Sequence, residues 1–311
     1  MNDVSAHRSS LIAHRSRLLV LRLSALGDVI HTLPAVLAMR EQAEITWVVE
    51  APYAELVEIV AGVKTIPVRM KKWKLDPRAA TDAIGRMRTV DASIDFQGLI
   101  KSAILGWLSG ARTRYGFNRE AVREKPSLLF TNKHVNVDTT KHVVDQNLEL
   151  AQATKLYGQR ATGNWQRFPS EVPGYENAIV LLPGAGKPNK IWPHFLELAK
   201  TIGPKALVVW GPGERELAEA IGGGVAPPTN LRELAWILQN AEAVIGGDTG
   251  PLHLADALGT KVVGLYGPTD PRRNGPYGQP DHVIDRFRTT KSMESISVEE
   301  VMKTLERVLG E

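Results

Sequence analysis

The stretch Gly-Gly-Asp-Thr-Gly-Pro-Leu-His-Leu-Ala-Asp-Ala-Leu-Gly, residues 246–259, is the most informative part of the chain. It predicts a strand end, a tight turn and a helix that Asp248 or Thr249 caps, with Pro251 in the first turn. Free N–H groups and the positive end of the helix dipole then form a site for an anion such as a diphosphate. His253 is placed to face the same anion. The alternative is an ordinary capped helix with a surface histidine, and this segment alone does not separate the two.

Length and composition indicate a globular chain of two domains. The 311 residues are 43% hydrophobic and 23% charged, which is typical of soluble proteins. No apolar run reaches the roughly 18 residues of a membrane span, and the N-terminus has no signal-peptide core. The chain has no cysteine, so disulfides, thiol catalysis and thiolate metal sites are excluded. These features favour a cytoplasmic location.

Positive charge is concentrated in the first half of the chain. Residues 1–160 contain 23 Lys and Arg against 16 Asp and Glu, whereas residues 161–311 contain 15 against 18. The first half is therefore the candidate to face an anionic partner, a membrane surface included, unless the charge is simply scattered. A nucleic-acid-binding module is the non-enzymatic alternative. The chain lacks the interleaved aromatic residues and motifs of such modules, so we expect no nucleic-acid partner.

Short apolar strands alternate with amphipathic helices along the whole chain. The predicted strands cover 18–23, 45–49, 65–68 and 92–96, then 178–182, 206–210, 243–247 and 262–266. This pattern predicts an α/β protein of two Rossmann-like, doubly wound domains facing a central cleft. The polar stretch 163–177 is the predicted linker. We expect a flexible lead-in over 1–16, domains over 17–165 and 166–290, and a closing helix within 291–311 that packs back toward the first domain.

The turn after the first strand, Ser-Ala-Leu-Gly-Asp-Val-Ile-His over 24–31, is the first candidate for chemistry. Gly27 lets the backbone turn tightly. Asp28 then lies at a strand end facing the cleft, where its carboxylate could accept a proton from an attacking hydroxyl. The alternative is that Asp28 only caps the following helix.

Two turns of the second domain suit a nucleotide. The loop 182–193 contains Gly184, Lys187 and Lys190, which offer N–H donors and positive charge to phosphate oxygens, unless the loop is a solvated surface feature. Glu214 opens a helix after a strand, where an acidic residue can bind ribose hydroxyls or can simply favour the helix start. No sequence has metal-ligand spacing, and we expect no metal site.

Several turns together resemble one known family. They are SALGDVIHTLP (24–34), FQGLIKSA (96–103), KIWP (190–193), GGDTGPLHLADALG (246–259) and LYGPTDP (265–271). In order and spacing they resemble glycosyltransferase family 9, the bacterial lipopolysaccharide heptosyltransferases, and the heptosyltransferase I branch more than branch II. The resemblance implies a GT-B fold, with the donor in the C-terminal domain and the acceptor in the N-terminal one.

The resemblance also implies a reaction. L-glycero-D-manno-heptose would pass from an ADP-heptose donor to Kdo of the lipid A–Kdo inner core, with inversion and without a metal or other cofactor. The acceptor would be anionic, and the enzyme would touch the cytoplasmic face of the inner membrane peripherally. The alternative is another nucleotide-sugar transferase of the same family, resembling heptosyltransferase II or using a different sugar or acceptor.

Residue roles follow from the same resemblance. Asp28 matches the general base, Lys190 a lysine that contacts the donor phosphates, and Glu214 an acidic ribose contact. The remaining residues expected to bind the donor are Gly184, Lys187, Asp248, Thr249, Gly250 and His253. The residues expected to bind the acceptor are Arg69, Lys72, Gln97, Arg119 and Arg123.

Overall fold

The computed structural model describes residues 15–73, 75–158 and 175–310, which form two parallel β-sheets with flanking helices. The strands of the first sheet are β1 (Ser16–Leu21), β2 (Ala43–Glu50), β3 (Lys64–Val68), β4 (Ala92–Asp95), β5 (Thr113–Phe117) and β6 (Lys133–Val135). The strands of the second are β7 (Ile179–Leu182), β8 (Ala206–Val208), β9 (Gly224–Val225), β10 (Ala243–Gly247), β11 (Val262–Tyr266) and β12 (Val283–Asp285).

The two sheets have the same topology. The first has the order β3-β2-β1-β4-β5-β6 and the second has β12-β11-β10-β7-β8-β9, all strands being parallel. Each order reverses direction once, between β1 and β4 in the first sheet and between β7 and β10 in the second. Ligands of doubly wound sheets bind outside the carboxyl ends of the strands at such a reversal. The turns after β1 and β10 are therefore the places where a site is expected.

Helices cover both faces of each sheet. Those of the first domain are α1 (Leu26–Met39), α2 (Ala54–Ala61), α3 (Pro77–Met87), α4 (Ile100–Leu108) and α5 (Val143–Gln152). Those of the second are α6 (Phe195–Ile202), α7 (Arg215–Ile221), α8 (Leu231–Asn240), α9 (Gly250–Ala257), α10 (Pro271–Asn274) and α11 (Val298–Gly310). Within the described ranges, no helix combines the length and apolar character needed to cross a bilayer.

The domains meet through the N-terminal ends of α1 and α9. One continuous apolar core joins side chains of α1, α2 and α5 to those of α8 and α9. A Cβ at Gly250 would overlap the Leu26 side chain, and a Cβ at Gly27 would lie 3.0 Å from the His253 ring. Both positions therefore need glycine, because a side chain there would push the two helix starts apart. The result is a pair of helix N-termini that face each other across the cleft.

The predicted two-domain α/β architecture is confirmed, but four strands were missed. These are β5, β6, β9 and β12, which occupy or adjoin the sheet edges and are only partly buried. Edge strands of two to five residues lack the long apolar runs that mark the central strands. The lead-in over 1–16 and the linker over 163–177, with the domain boundary at 165/166, lie largely outside the described residues.

The expected packing of the C-terminal helix toward the first domain is wrong. Val301, Leu305 and Val308 of α11 are buried in the outer core of the second domain, against α6 and β11. The Lys261 ammonium also donates to the carbonyl of Leu309 at 3.1 Å. The chain leaves β12 at the edge of this sheet, so the nearest uncovered apolar face is that of its own domain.

Candidate active site

A cavity of about 250 Å³ lies between the helix starts of α1 and α9. Both domains line it, with Ala25, Gly27, Asp28, His31, Arg123 and Val143 on one side and Lys190, Asp248, Thr249, Gly250, His253, Arg273 and Asn274 on the other. The cations outnumber the carboxylates, and two helix dipoles point their positive ends inward. The cavity is therefore suited to an anionic ligand.

Asp28 is held by two arginines in the first turn of α1. Its Oδ1 lies 2.5 Å from an Arg22 nitrogen and 2.9 Å from Nη2 of Arg123, and its Oδ2 accepts from Nη1 of Arg123 at 3.2 Å. Burial acts to raise the pKa of Asp28, but the charges of Arg22 and Arg123 outweigh it and hold that pKa below its ordinary value. Asp28 is thus ionised and able to accept a proton.

The two arginines differ in mobility. The Arg22 side chain is 2% exposed and also donates to the Phe96 carbonyl, so it is fixed under the turn. Burial lowers the pKa of Arg22 to about 10, against the opposing effect of Asp28, and the guanidinium stays charged at neutral pH. The Arg123 side chain is 44% exposed and its recorded contacts are with Asp28. Arg123 can therefore leave the carboxylate without exposing a buried charge, whereas Arg22 cannot.

Gln97 does not border the cavity, and the expectation that it binds an acceptor stays a prediction. The residue is 3% exposed, and its Oε1 accepts from the Leu23 N–H at 2.6 Å while its Nε2 donates to the Ser24 carbonyl at 3.0 Å. Asp95 in turn accepts from the Gln97 N–H at 2.9 Å. This chain of bonds fixes the turn that carries Asp28, so Gln97 is a positioning residue.

Asp248 joins two donor-side groups, Lys190 and His253, into one unit. Its Oδ2 lies 2.8 Å from the Lys190 ammonium and its Oδ1 lies 3.1 Å from Nε2 of His253. Burial acts to raise the pKa of Asp248, but the His253 hydrogen bond and the Lys190 charge outweigh it and lower that pKa to about 2. A carboxylate repels a diphosphate, so the geometry gives Asp248 the task of orienting Lys190 and His253.

The N-terminus of α9 is open to a ligand. Thr249 occupies the capping position, but its side chain makes no capping hydrogen bond, and its buried Oγ1 has no partner among the described residues. The expectation that Asp248 or Thr249 caps the helix is thus wrong for the side chains. An uncapped N-terminus leaves backbone N–H groups for an external acceptor. The free hydroxyl beside it adds one more donor.

The other predicted donor residues lie along the same edge of the second sheet. Glu214 directly precedes α7, and its Oε2 accepts from the Gly211 N–H at 2.8 Å. A Cβ at Gly184 would collide with the Glu214 carboxylate, so glycine is required for the loops after β7 and β8 to approach. Lys187 is exposed and does not border the cavity.

The remaining predicted acceptor residues lie farther out. Arg69 and Lys72 follow β3, and Arg119 follows β5, so all three extend from the edge of the first sheet that carries Asp28. Their side chains are exposed and do not border the cavity, unlike that of Arg123. The structure therefore brings together Asp28 and Arg123 and leaves the other three as an outer group of cations.

Sequence reasoning did not show that His253 packs among ring side chains from other segments of the chain. Measured between ring centroids, His31 lies 4.3 Å from His253 and 5.4 Å from His142. The ring centroids of His142 and Tyr277 lie 5.0 Å apart. Nδ1 of His142 accepts from the Val144 N–H, so its Nε2 must donate to the Gly275 carbonyl, at 3.1 Å. Scattered in sequence, these residues gave no spacing signal.

The sequence analysis also did not name two arginines of the site, Arg22 and Arg273. Arg22 could have been found, because an arginine at the end of an otherwise apolar strand is unusual. Arg273 gave no such signal, since it reaches the cavity only through the turn after β11. Across the three described ranges, no group of three or more His, Asp or Glu side chains is close enough to hold a metal ion.

Comparison with known proteins gives the same picture. The family model of glycosyltransferase family 9 (heptosyltransferase) matches residues 83–304. Lipopolysaccharide heptosyltransferase 1 of Escherichia coli O18:K1:H7 is 32% identical over 293 residues, covering 85% of this chain and 89% of that protein. The corresponding protein of Pseudomonas aeruginosa is 32% identical, covering 85% and 82%.

A solved structure agrees over almost the whole chain. The E. coli heptosyltransferase WaaC with ADP superposes with a TM-score of 0.81 at 27% identity, covering 94% of this chain and 99% of that one. The two doubly wound sheets are thus those of a GT-B enzyme, and the cleft between them is where the family resemblance placed the reaction. The chain belongs to glycosyltransferase family 9, the heptosyltransferase family.

Proposed function

We propose that this chain transfers L-glycero-D-manno-heptose from ADP-heptose to a Kdo residue of the lipid A–Kdo inner core, with inversion and without a metal ion. One observation carries the proposal. An ionised carboxylate, Asp28, faces a lysine and an uncapped helix N-terminus across a single cavity. The names of the matched relatives support heptose as the sugar, and the ADP in a matched structure supports the nucleotide.

The donor half of the site would stabilise the leaving diphosphate. As the bond between the anomeric carbon and the phosphate oxygen breaks, negative charge grows on ADP. Lys190, Thr249 and the N–H groups of α9, Gly250 among them, supply fixed positive charge and donors without any reorganisation. His253, fixed by Asp248, would contact the same group. Glu214, at the sheet edge beside Gly184, would accept hydrogen bonds from the ribose, and Lys187 would reach the phosphates from outside.

The acceptor half would deprotonate the attacking hydroxyl. Asp28 takes the proton as the hydroxyl oxygen bonds to the anomeric carbon on the face opposite the departing diphosphate, which inverts the configuration. In the free enzyme the two arginines make Asp28 a weaker base than an ordinary aspartate. An acceptor carboxylate or phosphate that draws Arg123 away would raise the pKa of Asp28 when the base is needed.

The outer cations would recognise the rest of an anionic acceptor. Arg69, Lys72 and Arg119 are exposed at the same sheet edge as Asp28, and each can pair with a phosphate or a carboxylate. Because they are solvated, each contributes modestly, and together they would raise the rate of acceptor capture.

A transfer assay tests the proposal directly. The wild-type protein is incubated with a Kdo-bearing lipid A acceptor and, in parallel, ADP-heptose, UDP-sugars and GDP-sugars. We expect transfer from ADP-heptose alone, an inverted linkage by NMR, and an unchanged rate with EDTA. Transfer only to an acceptor that already carries heptose would favour a heptosyltransferase II-like activity. Transfer from another nucleotide sugar would overturn the donor assignment.

We also propose a peripheral contact with the inner membrane at its cytoplasmic face. Trp107 and Leu129 are 52% and 82% exposed, and the Trp107 and Phe130 ring centroids lie 6.1 Å apart. These three residues form the Trp107 surface. The exposed cations Arg112, Lys125 and Lys133 lie on the same or adjoining segments. Apolar rings beside cations fit the interface of a bilayer with anionic headgroups, where each basic residue near the surface adds about 1 kcal/mol.

Vesicle binding tests this contact. The Trp107→Ala, Leu129→Ala double variant should bind phosphatidylglycerol vesicles about tenfold more weakly than the wild type, because burial of a large apolar side chain stabilises by about 1.5–3 kcal/mol. Leu196→Ala, at an exposed leucine of the second domain, is the control. Equal binding of both variants contradicts the proposal, and a loss of self-association instead would make this surface a contact between two copies.

A further inference from the structure

His31 is a buried polar side chain in the cavity to which the proposed mechanism gives no task. It lies on α1 one helical turn after Asp28 and is 7% exposed. Its Nε2 is inaccessible to solvent and has no hydrogen-bond partner among the described residues. Buried polar atoms are almost always paired, and leaving one unpaired costs about 1–3 kcal/mol. Because His31 borders the cavity, a ligand group that enters between the two domains is a partner that this atom can acquire.

The surroundings of His31 define the kind of group that it can bind. Its ring packs on His253 and against the edge of His142, so the imidazole cannot turn away from the cavity. Burial, reinforced by the charges of His253, His142 and nearby arginines, holds the pKa of His31 well below its ordinary value. The ring is therefore neutral, and its Nε2 can pair with a hydroxyl in either tautomer, as donor or as acceptor, whereas a phosphate oxygen can pair with it only as an acceptor.

We infer that Nε2 of His31 hydrogen-bonds a hydroxyl group of the transferred sugar and thereby fixes the anomeric carbon in front of Asp28. The position of His31 between Asp28 and His253 favours the sugar, rather than the nucleotide, as the part of the donor that it binds. The His31 ring packs against His253, which Asp248 holds on the donor side of the site. Asp28 lies one turn earlier on α1 and borders the same cavity. The inference rests on the proposed function, because it assigns a specificity-determining residue to the same reaction.

The experiment compares two replacements of His31. His31→Phe keeps a ring against His253 and His142 but removes the nitrogen, whereas His31→Gln places an amide nitrogen near the position of Nε2. We expect His31→Phe to lower kcat/KM by about 10- to 30-fold, the cost of leaving one hydroxyl unpaired. His31→Gln should recover most of this loss. Calorimetry should give a weaker affinity of His31→Phe for the sugar nucleotide and an affinity for ADP within twofold of the wild type.

Other outcomes separate the competing explanations. A loss of ADP affinity equal to that for the sugar nucleotide, or full activity of His31→Phe, would overturn the inference. A higher KM for the acceptor alone, with unchanged donor affinity, would assign the hydroxyl to the acceptor and overturn the donor assignment. His134→Phe, at an exposed histidine of the first domain, is the matched control. The kinetics of the His31 variants are measured with whichever nucleotide sugar the wild type accepts. A negative result with ADP-heptose in the donor screen therefore counts against the proposed function and not against the role of His31.

Discussion

Each domain presents one aspartate at the start of a helix beside the cleft, and the two aspartates are built differently. Asp28 has a side chain 23% exposed and two arginine partners, Arg22, which is 2% exposed, and Arg123, which is 44% exposed and can leave it. Asp248 has a side chain 12% exposed and partners, Lys190 and His253, that are 22% and 4% exposed. One carboxylate can be released for chemistry and the other is locked. In the proposed function, the aspartate of the first domain accepts a proton, and the aspartate of the second holds Lys190 and His253 in place.

The largest effect, on kcat, should come from removing the charge of Asp28. Asp28→Asn should lower kcat about 10²- to 10⁴-fold, the usual contribution of a general base, and should change the ADP affinity less than threefold. Asparagine keeps an oxygen acceptor for the buried Arg22, which alanine would not, so circular dichroism should show a folded protein. Steady-state kinetics beside the exposed-site control Asp82→Asn measure the effect. Activity within tenfold of the wild type would remove Asp28 from the role of base.

A smaller effect, on ADP binding, is expected from changes at the Lys190–Asp248 pair of the second domain. Lys190→Ala should weaken ADP binding by about 30- to 100-fold, because a charge-assisted bond is lost and Asp248 is left unneutralised beside the diphosphate. The double variant Lys190→Ala, Asp248→Asn should bind ADP more tightly than Lys190→Ala alone. Calorimetry with Lys200→Ala as control checks both. Unchanged ADP affinity in Lys190→Ala would exclude this lysine from the phosphate site.

The smallest effect concerns folding. The pKa of Asp248 is about 2 in the folded protein against an ordinary value of 3.8, so its ionised form stabilises the fold by about 2 kcal/mol at pH 7. A depressed carboxyl pKa stabilises fully above the unfolded pKa, and the effect is lost as the pH falls toward 2. Asp248→Asn should therefore lower the free energy of unfolding by about 2 kcal/mol at pH 7, and the gap should narrow below about pH 4.

Urea unfolding at a series of pH values measures this gap. Asp281→Asn, at an exposed aspartate of the second domain, is the matched control. The difference in the free energy of unfolding between the wild type and Asp248→Asn would contradict the prediction if it stayed constant down to pH 2.5 or were absent at pH 7. Either result would show that Lys190 and His253 do not stabilise the ionised form of Asp248.

Most of the fold follows from local patterns. Central strands such as β1 and β10 are apolar on both faces, and each is followed by a helix with an apolar stripe, so periodicity alone predicts doubly wound sheets. The edge strands are short and half-exposed, and α11 has an apolar stripe that any uncovered face could accept. Local sequence contains no information on which face is free, so these features needed the tertiary structure.

Local pattern alone places Asp28, Lys190 and the turn at 248–253 after strands, because such turns lie at the carboxyl edge of a parallel sheet. The contacts that each of these residues makes depend on how the two domains pack together. Gln97 is turned inward because its amide completes the hydrogen bonds of the Ser24 turn. His31 and Arg273 reach the cavity because two domains meet at Gly27 and Gly250. Contacts between residues more than a hundred positions apart depend on packing, and sequence spacing does not record them.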